Sequence, residues 1–343
     1  MKNIRLAING FGRIGRLTTR ALMQKKNIDL VAINDLTEAA TLSHLFKYDS
    51  VHRMYNGQVS HGDKELIIDG RKIKVFAEKD PSQLPWKNLE IDIVLECTGK
   101  FVSREGAGTH LKAGAKRVII SAPAKGDVKT IVLGVNENIL KGDEDIVSNA
   151  SCTTNNVAPM IKVLHEKWGV SSGYITTIHA YTGDQNIHDG PHKDLRRARA
   201  AAVSMIPTTT GAAKAITEIF PELKGKLGGA GIRVPVINGS LTDLTCIMKK
   251  MPTVEEVNAA FKKEAEGALK GIMQYTDDPI VSVDIIGNSH SCIFDAKLTS
   301  VVGDMVKVLG WYDNEYGYSC RLADLVEKMG LMEKKNQREQ VNA

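Results

Sequence analysis

The sequence IRLAINGFGRIGRLTTRAL, residues 4–22, decides the fold of the first half of the chain. It begins with an apolar run typical of a buried strand and ends with apolar residues at helical spacing. Between the two, Gly10, Gly12 and Gly15 match the pattern G-x-G-x-x-G. The three glycines serve a tight turn, the close approach of a pyrophosphate, and the packing of helix on strand, so the stretch predicts a dinucleotide-binding fold.

An acidic residue completes this pattern at the end of the next apolar run. Asp35 follows the run 30–33 and lies 35 − 15 = 20 residues beyond Gly15. A carboxylate at this position can accept hydrogen bonds from both ribose hydroxyls and repel a 2′-phosphate, which favours NAD over NADP. The alternative is an ordinary strand–turn–helix in which the glycines serve packing only and Asp35 caps a helix.

The rest of the chain divides into two regimes. Up to residue 150, apolar runs alternate with helical patterns, which predicts an α/β domain with a Rossmann-type, doubly wound parallel sheet. Residues 57–75 are broken by turn signals and predict an antiparallel insertion. From residue 151, strands follow one another with few crossovers, which predicts an α+β catalytic domain with a mainly antiparallel sheet. We expect an NAD-binding domain at 1–150, a catalytic domain at 151–315, and a C-terminal helix at 316–333 that packs back on the first domain.

Composition excludes several other classes of protein. The 343 residues are 43% hydrophobic and 25% charged, as in globular proteins, which argues against a disordered, collagen-like or coiled-coil chain. The net charge of +5 is spread along the chain, so we expect no nucleic-acid partner. No segment approaches the ~20 apolar residues of a membrane helix. Five scattered cysteines, no export signal and no metal-binding motif predict reduced thiols, a cytoplasmic location and no metal site.

The stretch SNASCTTN, residues 148–155, carries the candidate nucleophile. Ser151 is a natural N-cap, so Cys152 is expected in the first turn of a helix, where unpaired N–H groups favour an anion. The pattern therefore predicts a thiol of lowered pKa and an oxyanion site beside it. The alternative is a small buried hydrophobic side chain, which we expect for the four remaining cysteines, Cys97, Cys246, Cys292 and Cys320.

His179 is the candidate base for this thiol. It ends a predicted strand and opens a polar loop, the usual position of a catalytic side chain. Four other histidines, His44, His52, His61 and His110, are expected at the surface. His188 and His192 are four residues apart, but Gly190 and Pro191 lie between them and favour a loop over a helical metal pair.

Seven blocks, in order, resemble the family of phosphorylating glyceraldehyde-3-phosphate dehydrogenases along nearly the whole chain. They are INGFGRIGR (8–16), ND (34–35), ASCTTN (150–155), HAYT (179–182), TGAAK (210–214), RVP (233–235) and WYDNEYGY (311–318). The resemblance implies that Cys152 attacks the aldehyde of D-glyceraldehyde 3-phosphate to form a hemithioacetal while His179 takes up the proton. It further implies hydride transfer to NAD, a thioester, and attack by inorganic phosphate to give 1,3-bisphosphoglycerate, in glycolysis and gluconeogenesis.

The resemblance also implies a set of binding residues. The phosphate of the substrate is assigned to Thr182 and Arg233, with Arg197 as a further candidate that could equally be a solvated charge or a subunit contact. The attacking phosphate is assigned to Ser151, Thr153, Thr210 and Gly211. The cofactor is assigned to Gly10, Phe11, Gly12, Arg13, Ile14, Asn34, Asp35, Lys79, Thr98, Ser121, Asn314 and Tyr318.

Three departures and two alternative functions stay open at this point. Lys79 replaces the more usual Arg, and Asn156 stands where many members carry a second cysteine. Gly190 stands where many NAD-specific members carry Leu, which leaves the strictness of NAD use open. The family is homotetrameric, and residues 183–202 resemble its inter-subunit loop. The alternatives are an erythrose-4-phosphate dehydrogenase, which hydrolyses its thioester, and a non-catalytic NAD-binding homologue, against which Cys152 and His179 argue.

Overall fold

A computed structural model of the chain describes residues 3–341. These residues divide into two units. The first holds the residues up to Ile131, Glu137–Ala150 and the residues from Ser319 onward; the second holds Val132–Asn136 and Ser151–Tyr318. No helix within residues 3–341 is both long and apolar enough to cross a membrane.

The first unit is built on a sheet whose central strands are parallel. Its strands are β1 (Ile4–Asn9), β2 (Ile28–Asn34), β3 (Val59–His61), β4 (Glu65–Ile68), β5 (Arg71–Phe76), β6 (Ile93–Glu96), β7 (Arg117–Ile120), β8 (Lys129–Thr130) and β9 (Ile146–Ser148). Its helices include α1 (Arg13–Leu22), α2 (Ala39–Lys47) and α3 (Arg104–Lys112). In the described part of the chain the strand order is β3-β4-β5-β2-β1-β6-β7-β9-β8. The predicted Rossmann-type parallel sheet is confirmed, and β3, β4 and β5 form the predicted antiparallel insertion.

The carboxyl ends of three neighbouring strands meet in register. Asn9 at the end of β1 pairs with Asn34 of β2 on one side and with Glu96 of β6 on the other. All three side chains are buried. The apolar strands thus end in polar residues at the carboxyl edge of the sheet, which is where α/β proteins bind ligands.

The second unit contains a mixed sheet. Its strands are β10 (Val170–Ala180), β11 (Ile206–Thr208), β12 (Leu227–Val234), β13 (Ser240–Met248), β14 (Met273–Thr276), β15 (Cys292–Asp295), β16 (Ser300–Val302) and β17 (Met305–Tyr312). Its helices include α4 (Cys152–Trp168), α5 (Ala212–Ile219) and α6 (Val254–Glu266). Most neighbouring strands are antiparallel, as predicted, but β10 with β12 and β14 with β15 are parallel. The parallel pair β10–β12 brings His179 opposite Arg233.

The last helix, α7 (Tyr316–Val341), is longer than predicted. The predicted end at residue 333 is eight residues short of Val341. The helix continues through these polar residues because the sequence contains no stop signal such as Gly or Pro there. Within the first unit, Lys25 forms ion pairs with Asp324 and Glu327 of α7 at 2.9 and 2.6 Å.

Candidate active site

The start of α4 presents the candidate nucleophile. Ser151 is the N-cap, and its Oγ accepts a hydrogen bond from the Thr154 N–H at 3.0 Å. Cys152 is therefore the first residue of the helix, as predicted from the sequence, and it is half-buried. The turn before it requires a left-handed backbone at Ala150, whose φ is 56°.

Cys152 and His179 are in contact. The thiol Sγ lies 3.5 Å from Nε2 of His179, which stands at the penultimate position of β10. The alternative of a cysteine sealed in apolar packing does not hold for Cys152. It does hold for Cys246 and Cys292, which are fully buried, whereas Cys97 and Cys320 are half-buried.

Two contacts on the far side of the imidazole bear on its tautomer. Nδ1 of His179 lies 2.7 Å from the carbonyl oxygen of Ala180, which can only accept, and 3.0 Å from a guanidinium nitrogen of Arg233, which can only donate. The carbonyl contact is the shorter one, and the same guanidinium nitrogen has other acceptors in the Ala180 carbonyl and the Thr182 hydroxyl, so the geometry favours a proton on Nδ1. With the proton on Nδ1, the Nε2 lone pair faces the thiol, as a general base requires.

Burial and nearby positive charge act on the protonation of this pair. Burial, reinforced by the charge of Arg233, lowers the pKa of His179 to about 3. Burial also raises the pKa of the Cys152 thiol, although Arg233 and the Thr153 N–H act in the opposite direction. The predicted lowering of the thiol pKa is therefore wrong, because desolvation of the sulfur outweighs the helix N–H groups and the neighbouring charge. Both directions favour the neutral forms, a thiol and an uncharged imidazole.

Tyr312 contacts His179 and Thr153, the residue that follows Cys152, and sequence reasoning gave it no role. Its ring contacts the His179 ring edge-on, with centroids 5.9 Å apart. Its hydroxyl lies 3.0 Å from Oγ1 of Thr153 and 2.8 Å from Oγ1 of Thr177. The signal available was its position in the WYDNEYGY block, but nothing in the pattern predicted which side chains it would contact.

The residues assigned to the phosphate of the substrate are brought together. The guanidinium of Arg233 donates to the hydroxyl of Thr182 at 3.2 Å. Arg197 and Thr182 both donate to the carboxylate of Asp184, which lies between them at 2.7 and 2.5 Å. The sequence did not predict a role for Asp184. Its carboxylate accepts hydrogen bonds from Thr182 and Arg197, the same donors that a phosphate oxygen could use.

The residues assigned to the attacking phosphate are held at the starts of two helices. Ser151 and Thr153 begin α4, whereas Thr210 and Gly211 precede α5. The hydroxyl of Thr210 accepts the Ala212 N–H at 3.2 Å. The two helices pack against each other.

A cavity of about 520 Å³ in the first unit carries the candidate cofactor site. Of the predicted cofactor residues, Gly10, Gly12, Asn34, Asp35, Lys79 and Thr98 line this cavity. Glu78, which the resemblance places with Lys79 at the adenosine contacts, also lines it, and the remaining lining residues are Asn9, Leu36, Cys97, Lys100 and Phe101, which sequence reasoning did not assign.

The three glycines fit a dinucleotide in three different ways. Gly10 has a φ of 92°, a conformation that favours glycine. A Cβ on Gly15 would stand 2.3 Å from the Gly10 carbonyl oxygen, so this glycine permits close helix–strand packing. A Cβ on Gly12 would meet nothing within 4 Å, and Gly12, as the N-cap of α1, has no side chain of its own over the first turn. Open space at a helix N-terminus is what a pyrophosphate requires.

Asp35 also has a second task in this loop. Its carboxylate accepts the Phe11 N–H at 2.8 Å and the Thr37 N–H at 3.0 Å. It is not a helix cap, because the N-cap of α2 is Glu38. The carboxylate therefore fastens the glycine turn as well as lining the cavity.

Several predicted cofactor residues do not line this cavity. Phe11 is buried and stacks on Phe46, and the guanidinium of Arg13 pairs with Asp49. Ile14 follows in α1, and the N–H of Ser121 donates to the Glu96 carbonyl. In the second unit, Asn314 accepts hydrogen bonds from Gly239 N–H and Ser240 Oγ, and Tyr318 is buried.

One histidine is buried although the sequence predicts it at the surface. His110 was expected at the surface but is fully buried, because it shares with Ala107 the face of α3 that packs inward. His44 and His61 are exposed and His52 is half-buried. Among the described residues, no group of three or more His, Cys, Asp or Glu side chains is placed to hold a metal ion.

A Rossmann-type unit, a glycine turn at its cavity and a cysteine–histidine pair define an NAD-linked dehydrogenase. Residues 4–104 match the family model for the NAD binding domain of glyceraldehyde 3-phosphate dehydrogenase, and residues 151–314 match the model for its C-terminal domain. The chain belongs to the glyceraldehyde-3-phosphate dehydrogenase family. The predicted resemblance, the oxidoreductase class and the NAD cofactor are confirmed.

Curated relatives agree over nearly their full lengths. Glyceraldehyde-3-phosphate dehydrogenase of Thermotoga maritima is 61% identical over 326 residues, which cover 94% of this chain and 98% of the relative. The enzyme of Geobacillus stearothermophilus is 56% identical, with 94% and 97% covered. Glyceraldehyde-3-phosphate dehydrogenase 1 of Bacillus cereus is 55% identical, with 95% and 98% covered.

Proposed function

We propose that this chain oxidises D-glyceraldehyde 3-phosphate to 1,3-bisphosphoglycerate, with NAD and inorganic phosphate as co-substrates. The observation that carries the proposal is the 3.5 Å contact between the Cys152 thiol and the unprotonated Nε2 of His179. A thiol next to a base is suited to attack an aldehyde carbon.

The first step forms a bond between Sγ of Cys152 and the aldehyde carbon. The thiol proton passes to Nε2 of His179 as the sulfur attacks, and the resulting imidazolium donates to the new hemithioacetal oxygen. The low pKa of His179, about 3, makes this imidazolium a strong acid that returns its proton readily. Burial raises the pKa of the free Cys152 thiol, so the thiol stays protonated until a substrate binds. The sulfur then attacks as its proton passes to His179.

The second step is oxidation at the same carbon. NAD supplies the hydride acceptor when it is bound, and Gly10, Gly12 and Asp35 are the residues of this chain that would hold it. As the C–H bond of the hemithioacetal carbon breaks and the hydride leaves, His179 removes the hydroxyl proton, and the acyl group is left on the sulfur as a thioester. A thioester retains the energy of the oxidation for transfer to phosphate.

Two groups of donors fit the two phosphates. Arg233, Thr182 and Arg197 present a positive, hydrogen-bonding surface for the phosphate of the substrate. Asp184 must give up its bonds to Thr182 or Arg197 when that phosphate binds. We assign Ser151, Thr153, Thr210 and Gly211 to the attacking phosphate, which releases the acyl phosphate and restores the thiol.

The decisive experiment compares two aldehydes with and without inorganic phosphate. We expect NADH formation with the triose phosphate to require phosphate, and Cys152→Ser to lower it about a thousandfold while NAD still binds. Cys320→Ser, at another half-buried cysteine, is the matched control. Faster, phosphate-independent oxidation of erythrose 4-phosphate would instead assign the chain to the hydrolytic dehydrogenase. An absence of any turnover, with NAD bound, would assign it to a non-catalytic homologue.

The cofactor preference has a separate test. We propose that the charge of Asp35 repels a 2′-phosphate, and that Asp35→Asn narrows the preference for NAD over NADP. Asn keeps an oxygen that can accept the Phe11 N–H, so the turn retains its support while the charge is removed. An unchanged ratio of the two KM values would refute repulsion by Asp35.

The same proposal covers the wider setting of the enzyme. We propose a cytoplasmic homotetramer that serves glycolysis and gluconeogenesis, with residues 1–150 and the helix from 316 as the NAD-binding domain and residues 151–315 as the catalytic domain. The exposed apolar side chains of Ile187, Leu195 and Val203 support a subunit contact along the 183–202 loop and just after it. Sedimentation of the purified chain tests the tetramer.

A further inference from the structure

A chain of buried polar side chains lies behind the cofactor cavity. It starts where β1, β2 and β6 end in register at Asn9, Asn34 and Glu96. These side chains are 1%, 4% and 1% exposed, so each polar atom depends on partners within the protein.

Glu96 is the centre of this arrangement. Its Oε2 accepts hydrogen bonds from Nδ2 of Asn9 at 2.6 Å and from Nε2 of His110 at 3.1 Å. Its Oε1 accepts the backbone N–H of Thr98 at 2.8 Å and the Thr98 hydroxyl. Four donors therefore occupy the four lone-pair positions of the carboxylate, which leaves none for a ligand.

Trp86 fixes the tautomer of His110. The indole Nε1 can only donate, and it lies 3.0 Å from Nδ1 of His110, so Nδ1 carries no proton. The proton is on Nε2, where it is donated to Glu96. His110 is thus a neutral histidine, and Glu96 is the single charge among these buried groups. Nδ2 of Asn9 also lies 3.4 Å from Nε2 of His110. Both atoms are donors in this tautomer, so the contact is not a hydrogen bond.

The arrangement continues into the cavity wall. Nδ2 of Asn34 donates to Oδ1 of Asn9 at 2.7 Å and to the carbonyl of Glu78 at 2.9 Å. Oδ1 of Asn34 accepts the Glu78 N–H at 2.8 Å. Asn9, Asn34, Glu78 and Thr98 line the cavity, whereas Glu96 and His110 do not.

We propose that Glu96 and His110 are positioning residues for the cofactor: through Thr98 and Asn9 they hold the cavity wall in its NAD-binding geometry. We call Asn9, Asn34, Trp86, Glu96, Thr98 and His110 the Glu96 network. The proposal rests on the assignment of this cavity to NAD under the proposed function. Its consequence is that damage to the Glu96 network weakens NAD binding while the thiol chemistry, which uses other residues, continues.

Glu96→Gln is the first test. The Gln amide keeps the size of the side chain but turns two acceptor positions into donors, so two of the four donors around it face another N–H group. We expect KM and Kd for NAD to rise about tenfold. We expect kcat at saturating NAD and KM for the aldehyde to stay at the wild-type values.

A pair of substitutions at His110 provides a second test if Glu96→Gln does not fold. His110→Gln places an amide donor near the position of Nε2 and retains the bond to Glu96, whereas His110→Leu removes both hydrogen bonds. We expect His110→Leu to reproduce the weakened NAD binding and His110→Gln to recover most of it.

Arg117→Gln is the matched control. Arg117 is also a buried charged residue of the first unit, but it bonds the carbonyls of Met329 and Gly142 and does not line the cavity. We expect it to lower the melting temperature without changing KM for NAD. Equal changes in KM for NAD in Arg117→Gln and Glu96→Gln, or a fall in kcat with unchanged KM, would overturn the proposal.

Gly12→Ala separates failure of this inference from failure of the cavity assignment. If Gly12→Ala weakens NAD binding and the Glu96 and His110 variants do not, the Glu96 network has no positioning role. If none of the variants changes the Kd for NAD, the cofactor binds elsewhere and the assignment of the cavity is wrong.

Discussion

At the scale of single residues, Arg233 has opposite consequences for the two partners of the reactive pair. Its positive charge lowers the pKa of the Cys152 thiol, against the larger effect of burial. The same charge adds to burial in lowering the pKa of His179. One guanidinium therefore favours the thiolate and disfavours the imidazolium, so it lowers both pKa values without closing the gap between them.

Removal of this charge should raise the pH at which the thiol reacts. In Arg233→Met we expect the pH profile for alkylation of Cys152 by iodoacetamide to move upward by about 1 unit, since a nearby opposite charge shifts a pKa by roughly that much or more. Iodoacetamide is neutral and needs neither substrate nor NAD, so loss of substrate binding does not affect the measurement.

Arg233→Lys is the control for this prediction. It keeps the charge while losing the fork of donors, and its alkylation profile should stay closer to that of the wild type. Identical profiles for the Met and Lys variants would show that the charge of Arg233 does not act on Cys152.

At the scale of elements, two glycines of the turn between β1 and α1 have different roles: Gly15 permits packing and Gly12 leaves space for a ligand. Gly15→Ala places a Cβ 2.3 Å from a backbone oxygen, and we expect it to lower the free energy of unfolding by about 2 kcal/mol. Gly12→Ala meets nothing within 4 Å at a φ of −70°, so the fold should tolerate it. Its methyl group enters the space required by a pyrophosphate, and we expect the Kd for NAD to rise about tenfold or more.

Chemical denaturation and NAD titration of the two variants provide the measurements. The expected pattern is a stability defect in Gly15→Ala and a binding defect in a normally stable Gly12→Ala. A Gly12→Ala protein that binds NAD as the wild type does would contradict the place given to the pyrophosphate.

Element boundaries show how far the sequence could predict this fold. The pattern of apolar residues bounded by turn signals predicts a strand over 117–120, and this run is β7 to the residue. The pattern also predicts a strand over 232–236, which runs past the end of β12 at Val234 and misses its start at Leu227. The start is missed because Gly228, Gly229 and Gly231 weaken the strand pattern. Those residues are in a strand because β10 supplies a parallel partner from Gly173 onward, a tertiary effect that no local pattern contains.

The candidate site divides in the same way. Motifs located Cys152, His179 and the glycine turn, because each requires a fixed residue type at a fixed place in the chain. The contacts of Tyr312, Asp184 and the buried His110 depend on strand register and helix orientation. Desolvation of the thiol likewise depends on what packs around it, which is why its pKa was predicted in the wrong direction.

At the scale of the whole molecule, each sheet places its candidate functional side chains at the ends of parallel strands. In the first unit β1, β2 and β6 end at the buried polar side chains beside the cavity, and in the second unit β10 and β12 end near His179 and Arg233. These ends place buried or half-buried polar side chains next to the apolar strands. The cost of this arrangement is a set of buried titratable groups that make stability depend on pH.

His179 allows this cost to be measured. Its pKa is lowered from 6.5 to about 3, so between these values the unfolded chain binds a proton on this imidazole that the folded chain does not. The free energy of unfolding must then fall as the pH falls through this window. We expect wild type to lose about 1 kcal/mol more than His179→Gln between pH 7 and pH 5.5, measured by chemical denaturation at matched protein concentration. His44→Gln, at an exposed helix position, should follow wild type, and a His179→Gln curve parallel to wild type would mean that His179 is protonated in the folded chain as readily as in the unfolded one.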